Sequence, residues 1–324
     1  MEKLTIIIAG SGQIGSRYLQ GLAKVTVPLE IWACDISWDS LHTAKQRWLA
    51  VEHSEAHSVN FTTDFQILPK VVDLAIISAT ADSRPRLIQQ LAKMASIRYW
   101  ILEKVLAQSV EELQVIAHSI PPNTGVWVNT PMQMFPLYEQ LKSKVGAGPV
   151  RAQFLDISGI ACNTVHYIDY VARWNNSQVV AVNTEKLTQW VPYYNRPRFF
   201  DVAGLIDIHF SDGSWLTVSG IAHDESVDPK FSISAIRSDH EMPIWHINER
   251  GGIASSTEGE QIFAPGFILQ SDLTAHVVNC IFNGQEPQLP SLAQSVAQHE
   301  LFLQALINHW NKTMSTQVER LPIT

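Results

Sequence analysis

The chain has only three cysteines in 324 residues, Cys34, Cys162 and Cys280. They are odd in number, widely spaced and without a C-x-x-C pair, which argues against a disulfide framework or a zinc cluster and fits a reducing compartment. Positive charge is also scarce: 23 Lys and Arg stand against 31 Asp and Glu, a formal net charge of -8. These cations are scattered, so the footprint of a nucleic-acid or anionic-membrane binder is missing. No uninterrupted apolar run reaches the roughly 18 to 20 residues that a membrane helix needs; "VVDLAIISA" is short and carries Asp73. The opening "MEKLTIIIAGSG" is apolar for a strand's length before glycine, so it reads as a first strand rather than a secretory signal. A cytoplasmic protein acting on small molecules or proteins is the expectation.

Internal repeats and low-complexity segments are absent too. So are two common catalytic signatures. "HSEAH" at 53–57 spaces two histidines by four, but it lacks the H-E-x-x-H order and a third ligand, and reads as a solvated helix end; no metal is expected. No serine lies on a recognisable strand-to-helix elbow.

What is present is length and apolar content, 46% hydrophobic, enough for a sizeable core and for two domains. Up to about residue 130, short β-branched runs alternate with helical patterns: "KLTIIIA", "IGSRYLQGLAK", "LEIWAC", "SWDSLHTAKQRWLA", "VDLAIISA", "SRPRLIQQLAKM", "IRYWILE", "SVEELQVIAHS" and "GVWVN". That alternation predicts a doubly wound parallel sheet, an α/β domain over residues 1–130. Ser37 and Ser109 stand where helix N-caps belong, the second with Glu112 three residues on.

From 131 to 324 the texture changes. Longer strand-like runs follow the breaker "GAGP": "VRAQFLDISGI", "VVAVNTEKLTQWVP", "AGLIDIHFSDGSWLTVSGIA", "FSISAIRS" and "PIWHINERGGIAS". Turn signals at Ser211–Ser214 and Arg250–Gly252 predict hairpins in an open, mostly antiparallel sheet. One helix, "NTVHYIDYVARW", interrupts them, with Val165, Ile168 and Ala172 on one face and His166 and Asp169 on a neighbouring stripe. The tail, "FILQSDLTAHVVNCIFNG" and "SLAQSVAQHELFLQALINHW", is helical and long enough to pack across the sheet or back on the first domain.

"IAGSGQIGS" places Gly10, Gly12 and Gly15 in the G-x-G-x-x-G spacing, directly after a predicted strand and at the mouth of a helix. One glycine makes the turn, one lets a pyrophosphate approach, and one lets helix and strand pack closely, while the helix N-terminus presents N–H groups to the anion. Gln13 and Ile14 belong to the same loop. Asp35 follows 20 residues after Gly15 at a strand end, where a carboxylate accepts from the ribose hydroxyls and repels a 2'-phosphate; NAD is therefore expected, and Ser37 leaves NADP open. The alternative is a plain glycine turn in a nucleotide-free α/β protein. Thr80 and Glu103, at two further strand ends, complete the expected cofactor set. Lys104, beside Glu103, can donate to a substrate oxygen and stabilise a developing alkoxide, or it can simply end a strand in a charged pair. His166 is one of 12 histidines, with Asn163, Asp169 and Tyr170 near it, and can carry the proton of an alcohol.

Together "GSGQIGSRYLQGL", the "EK" of "ILEKVLAQS", the "H-x-I-D" of "TVHYID" and "AQSVAQHELFLQAL" resemble the Gfo/Idh/MocA oxidoreductases, which include glucose-fructose oxidoreductase and inositol dehydrogenase, over nearly the whole chain. The resemblance implies a Rossmann domain and an α+β domain whose open sheet joins a homodimer or homotetramer. It also implies NAD(P)-dependent oxidation or reduction of a sugar, polyol or nucleotide-sugar hydroxyl. Lys104 matches the lysine of the family's Glu-Lys-Pro, and His166 matches its catalytic histidine. The chain departs from the pattern at Val105, where proline is usual, and at Cys162, where inositol-dehydrogenase-like members carry an aspartate. "ACNTVHYIDY" resembles instead a branch found among bacterial surface-polysaccharide genes, in which Asn163 is expected to orient the substrate hydroxyl; that branch carries arginines where this chain has Met132 and Gln133. Two other readings stay open: an NAD-recycling glycosidase or lyase, and a cofactor-binding regulator or scaffold that has lost catalysis.

Overall fold

A computed structural model describes residues 3–156, 159–193, 196–220, 230–236 and 242–324. Among these the chain divides into two compact units. The first comprises Met1–Leu106, Gln114–Asn129 and Ile268–Leu292, and the second Ala107–Leu113, Thr130–Phe267 and Ala293–Thr324.

In the first unit β1 (Leu4–Ala9), α1 (Gly15–Leu22), β2 (Leu29–Cys34), α2 (Trp38–Leu49), β3 (Ser58–Thr62), β4 (Val71–Ile77), α3 (Arg84–Met94), β5 (Ser96–Leu102), α4 (Val110–Ser119) and β6 (Gly125–Val128) follow one another; only the first turn of α4 is counted with the second unit. The six strands pair in parallel in the order β3-β2-β1-β4-β5-β6, the doubly wound arrangement. Ile6, Ile7 and Ile8 of β1 and Leu74 to Ile77 of β4 are all fully buried, as expected where both faces of a parallel sheet are covered. Ser37 caps α2, its hydroxyl accepting from the Ser40 amide at 3.4 Å, and the Ser109 hydroxyl accepts from the Glu112 amide at 3.2 Å. A later helix, Gln270–Phe282, belongs to this unit as well. It packs against α1 so closely that a Cβ on Gly21 would lie 2.5 Å from the Cβ of Thr274.

"HSEAH" is not helical: it lies in the connection between α2 and β3. His57 is buried there, accepting at Nδ1 from the Leu29 amide (3.2 Å) while Nε2 meets the Val25 carbonyl (3.1 Å). His53 packs against Trp48 with the rings tilted by 34° and their centroids 4.3 Å apart. The pair fastens a loop, and the tautomer that does so is neutral.

The second unit holds α5 (Pro136–Val145), β7 (Val150–Asp156), α6 (Ile160–Trp174), β8 (Val179–Asn183), β9 (Leu187–Tyr193), β10 (Arg196–Phe210), β11 (Trp215–Gly220), β12 (Lys230–Ala235), β13 (Trp245–Asn248), β14 (Ile253–Ser256) and β15 (Gln261–Phe263); α7 is the helix Gln270–Phe282 already placed, and α8 spans Leu292–Thr313. Nine strands form one sheet, β15-β14-β13-β12-β7-β11-β10-β8 with β9 on β10, antiparallel except where β7 and β11 run parallel. The expected turns at 211–214 and 250–252 connect the antiparallel pairs β10/β11 and β13/β14. Along β7 Ala152 and Phe154 are buried and Arg151 and Gln153 exposed, so one face is core and the other open. The expected strand runs through Ile157–Ser158, Ile221–Ala222 and Arg237–Ser238 lie outside the described residues.

Candidate functional site

In the first unit the glycine loop leaves β1 and enters α1. Gly10 takes φ +96°, and a Cβ there would lie 2.7 Å from the Ala79 Cα. A Cβ on Gly15 would strike the Gly10 carbonyl oxygen and lie 2.7 Å from the Ser78 hydroxyl. Both glycines are thus required by the protein's own packing. Gly12 differs: a Cβ there would meet nothing within 4 Å. Space beside a backbone that needs no glycine for its own fold suits a ligand that approaches the main chain. No side chain caps the start of α1 and no acid stands in its first turn, so the positive end of the helix is left for an anion. The loop is braced from α2, where Arg47 donates to the Gln13 carbonyl (3.0 Å), the Gln13 Oε1 (2.8 Å) and the Ser16 hydroxyl (2.6 Å). Ile14 is 41% exposed.

Parallel pairing of β1 with β2 brings the next element beside the loop. The Gly10 amide and the Ser11 hydroxyl both donate to the Cys34 carbonyl, at 2.9 and 3.2 Å. Asp35 follows directly, half-buried, with Oδ1 accepting from the Ser37 amide at 2.9 Å. Thr80 is half-buried after β4, and its carbonyl accepts from the amides of Ser83 and Arg84 at 3.1 and 3.0 Å. Glu103, expected as a cofactor contact, is only 6% exposed. Its Oε1 accepts from the Tyr18 hydroxyl and from Asn129 Nδ2, each at 2.7 Å. Lys104 is half-buried at the exit of β5.

In the second unit the expected catalytic helix begins three residues earlier than its pattern suggests, at Ile160. Asn163 and His166, at i and i+3, are its half-buried positions over the first three turns, whereas Cys162 and Tyr170 are buried. Asp169, read from the sequence as a neighbour of His166, is fully buried and serves the packing of α6. Thr130 donates to its Oδ2 at 2.9 Å, Gln298 donates to Oδ1 at 3.2 Å, and Arg173 stands 3.7 Å away. Burial pushes the carboxyl up to about 6 against the pull of those partners.

Cys162, which replaces an expected carboxylate, lies against a different one. Asp201 on β10 is buried, its Oδ1 accepting from the amides of Ala161 (2.9 Å) and Val202 (2.7 Å). Burial raises it to about 6, with Asp156 adding to the shift and the Cys162 thiol opposing it. Gly159, at φ +128°, has no room for a side chain because Asp201 fills that place. Gln133 donates to the Tyr170 carbonyl at 3.1 Å and Met132 is buried, so both positions that departed from the branch pattern serve the packing of this unit. Among the described residues no group of three or more His, Cys, Asp or Glu could hold a metal ion, and no helix is long and apolar enough to cross a membrane. All three cysteines are buried and unbridged.

No family model and no curated protein matches the sequence. Solved structures do. Myo-inositol dehydrogenase of Lactobacillus casei, in complex with NAD(H) and myo-inositol, superposes with TM-score 0.66 at 14% identity over 97% of this chain and 96% of its own. Levoglucosan dehydrogenase in complex with NADH gives 0.69 at 15% identity, covering 98% and 100%. An Agrobacterium radiobacter oxidoreductase, in complex with NAD+, L-tartaric acid and magnesium, gives 0.67 at 14% identity, covering 94% and 95%. This chain shares their fold. The shared architecture is a parallel six-stranded Rossmann-type sheet followed by a mostly antiparallel sheet. The Gfo/Idh/MocA resemblance read from the motifs is thereby matched at the level of fold, with dehydrogenases as structural neighbours.

Sequence reasoning missed the residues that brace the site rather than form it: Arg47, Tyr18, Arg84, Asn129, Thr130 and Gln298. None carries a local signal. Each acquires its role from a partner distant in the chain, such as Gln298 on Asp169, 129 residues apart.

Proposed function

We propose that this protein is an NAD-dependent oxidoreductase acting on a hydroxyl or carbonyl of a sugar, polyol or nucleotide sugar. The observation that carries this reading is the open space at Gly12, between two glycines that packing requires and beside the strand end that presents Asp35. Gly10, Gly12, Gln13, Ile14 and Gly15 would hold the pyrophosphate, Asp35 the adenosine ribose, and Thr80 the cofactor's further course along the sheet edge. Bound nicotinamide supplies hydride exchange. The ammonium of Lys104 donates to the reacting oxygen and stabilises the negative charge that develops there. His166 takes up or returns the hydroxyl proton, and Asn163 orients that hydroxyl by hydrogen bonding.

The same reading makes the protein a cytoplasmic homodimer or homotetramer joined through the open face of the nine-stranded sheet, where Arg151, Gln153 and His246 stand exposed. Its titration with NADH and NADPH, followed by tryptophan fluorescence, is the test. Preferred binding of NADH, then turnover with a sugar or nucleotide sugar by nicotinamide absorbance, supports the proposal. Absence of binding to either cofactor overturns it. Binding without turnover across a sugar panel, with a partner protein co-purifying, favours a regulator; conversion of a glycoside with no net change in nicotinamide absorbance favours the NAD-recycling glycosidase or lyase.

A further inference from the structure

We propose that Glu103 and Arg84 are positioning residues for Lys104: a buried carboxylate and a buried guanidinium fix the strand end on which the lysine stands, without either touching cofactor or substrate. The assignment rests on the oxidoreductase reading for the role of Lys104 and on the first unit's own contacts for the rest.

Arg84 opens α3 and is 2% exposed. A guanidinium buried so far is costly unless its donors and charge are matched. Its terminal nitrogens donate to backbone carbonyls, Nη2 to Ala79 at 2.7 Å and Nη1 to Val105 and to Leu106, the latter at 3.2 Å, while Nε has no hydrogen-bond partner among the described residues. Ala79 lies at the exit of β4, and Val105 and Leu106 at the exit of β5. One side chain thus ties together the ends of two neighbouring central strands, immediately after Lys104. Val105 and Leu106 are fully buried, so these carbonyls have no recourse to water.

Glu103 holds the other side. Its Oε1 takes the hydroxyl of Tyr18 from α1 and the amide of Asn129 from the end of β6. The same Asn129 nitrogen donates to Gln270 Oε1 at 2.8 Å, and Gln270 donates to the Thr274 hydroxyl at 3.3 Å, which carries the network into α7. The charges answer one another: burial lowers Arg84 to about 10, opposed by Glu103 first and then by Tyr18 and Asp82. Arg84, Asp82, Tyr18 and Glu103 are therefore the titratable groups gathered here. Between residues 101 and 109, all are buried except Lys104. Its side chain alone leaves a stretch pinned on both sides.

The test uses the intact chain as wild type, Glu103→Gln, Arg84→Met and Tyr18→Phe. Lysines are acylated competitively with acetic anhydride across a pH series and Lys104 is followed by peptide mass spectrometry, with NADH affinity measured in parallel. In Glu103→Gln the uncompensated guanidinium moves the Lys104 labelling midpoint to lower pH by on the order of one unit, and in Arg84→Met it moves the other way. NADH affinity stays within about threefold in Arg84→Met and Tyr18→Phe, whose altered side chains are buried among protein groups. Tyr18→Phe, the mildest change, leaves Glu103 one donor short and shifts the midpoint upward, so a failure of the other two to fold does not remove the test. An unmoved midpoint in every folded variant overturns the proposal, as does a tenfold loss of NADH affinity in Glu103→Gln with Lys104 unchanged. If NADH binds none of the proteins, wild type included, the oxidoreductase reading fails, and the midpoints still decide whether this pair acts on Lys104.

Discussion

The carbonyl oxygen of Gly10 stands where a side chain on Gly15 would have to go. Gly15→Ala is therefore an overpacking change and is expected to cost about 1 to 3 kcal/mol of stability, read as a lowered urea midpoint. Gly12→Ala is expected to leave that midpoint in place, since its Cβ meets nothing, while weakening NADH at least tenfold, or about 1.4 kcal/mol. Equal behaviour of the two variants in both assays would contradict the distinction between a packing glycine and a ligand glycine.

Asp35 is tied to the glycine loop through its neighbour Cys34, whose carbonyl takes the Gly10 amide. A carboxylate so placed accepts from ribose hydroxyls and repels a 2'-phosphate. Asp35→Ala is expected to lose about tenfold in NADH affinity and to gain a similar factor for NADPH, each near 1.4 kcal/mol. Fluorescence titration with both cofactors checks it, and a variant that loses both equally would point to damage in the loop.

Lys104→Met keeps an unbranched side chain, one atom shorter, and removes the donor. Turnover is expected to fall by about two to four orders of magnitude, the range for losing an acid–base or electrostatic group, while NADH binds as before. His166→Ala is expected to act similarly on turnover and to remove a limb of the pH–rate profile. Full turnover in a folded, cofactor-binding Lys104→Met protein would remove the lysine from the mechanism.

Most of the fold was legible because parallel strands covered on both faces are near-continuous apolar runs, and β1, β2, β4 and β5 each carry one, broken only by Thr5, Glu30, Asp73 and the exposed Ser96 and Arg98. The strand β3 was missed. It lies at the sheet edge, and although "SVNFT" alternates polar and apolar residues, the run is only five residues long and four of them are half-buried, so the alternation does not mark a buried face. The spacing of the histidines before it reads as helical, although one of them is fixed by Leu29 and Val25 across the chain. In the site, motif and spacing singled out the cradle residues because their chemistry is local. Glu103 and Asp169 drew attention for where they stand in sequence, yet their roles come from Tyr18, Asn129, Thr130 and Gln298, 85, 26, 39 and 129 residues away. Tertiary partners of that kind leave no periodic trace.

Asp169 and Asp201 make the second unit sensitive to pH in a definite direction. Both carboxyls rise from an ordinary value of 3.8 to about 6, chiefly through burial. Between those limits the folded protein holds protons that the unfolded chain has released, so their stabilising contribution is complete below about pH 4 and is lost as pH rises through about 6. His57 works the other way, since burial lowers it and its contribution is lost on acidification. Comparison of Asp169→Asn with wild type cancels the histidine. Both oxygens of the protonated carboxyl can accept from Thr130 and Gln298, whereas an amide nitrogen cannot accept, so the variant is expected to be the less stable at pH 5. Between pH 5 and 7.5 the difference is expected to move in the variant's favour by about 1 to 2 kcal/mol, because only the wild type must ionise a buried acid. Urea unfolding at the two pH values measures it. A difference that stays constant would mean that Asp169 carries its charge in the folded protein at pH 5 as well, held by Thr130, Gln298 and Arg173 against the effect of burial.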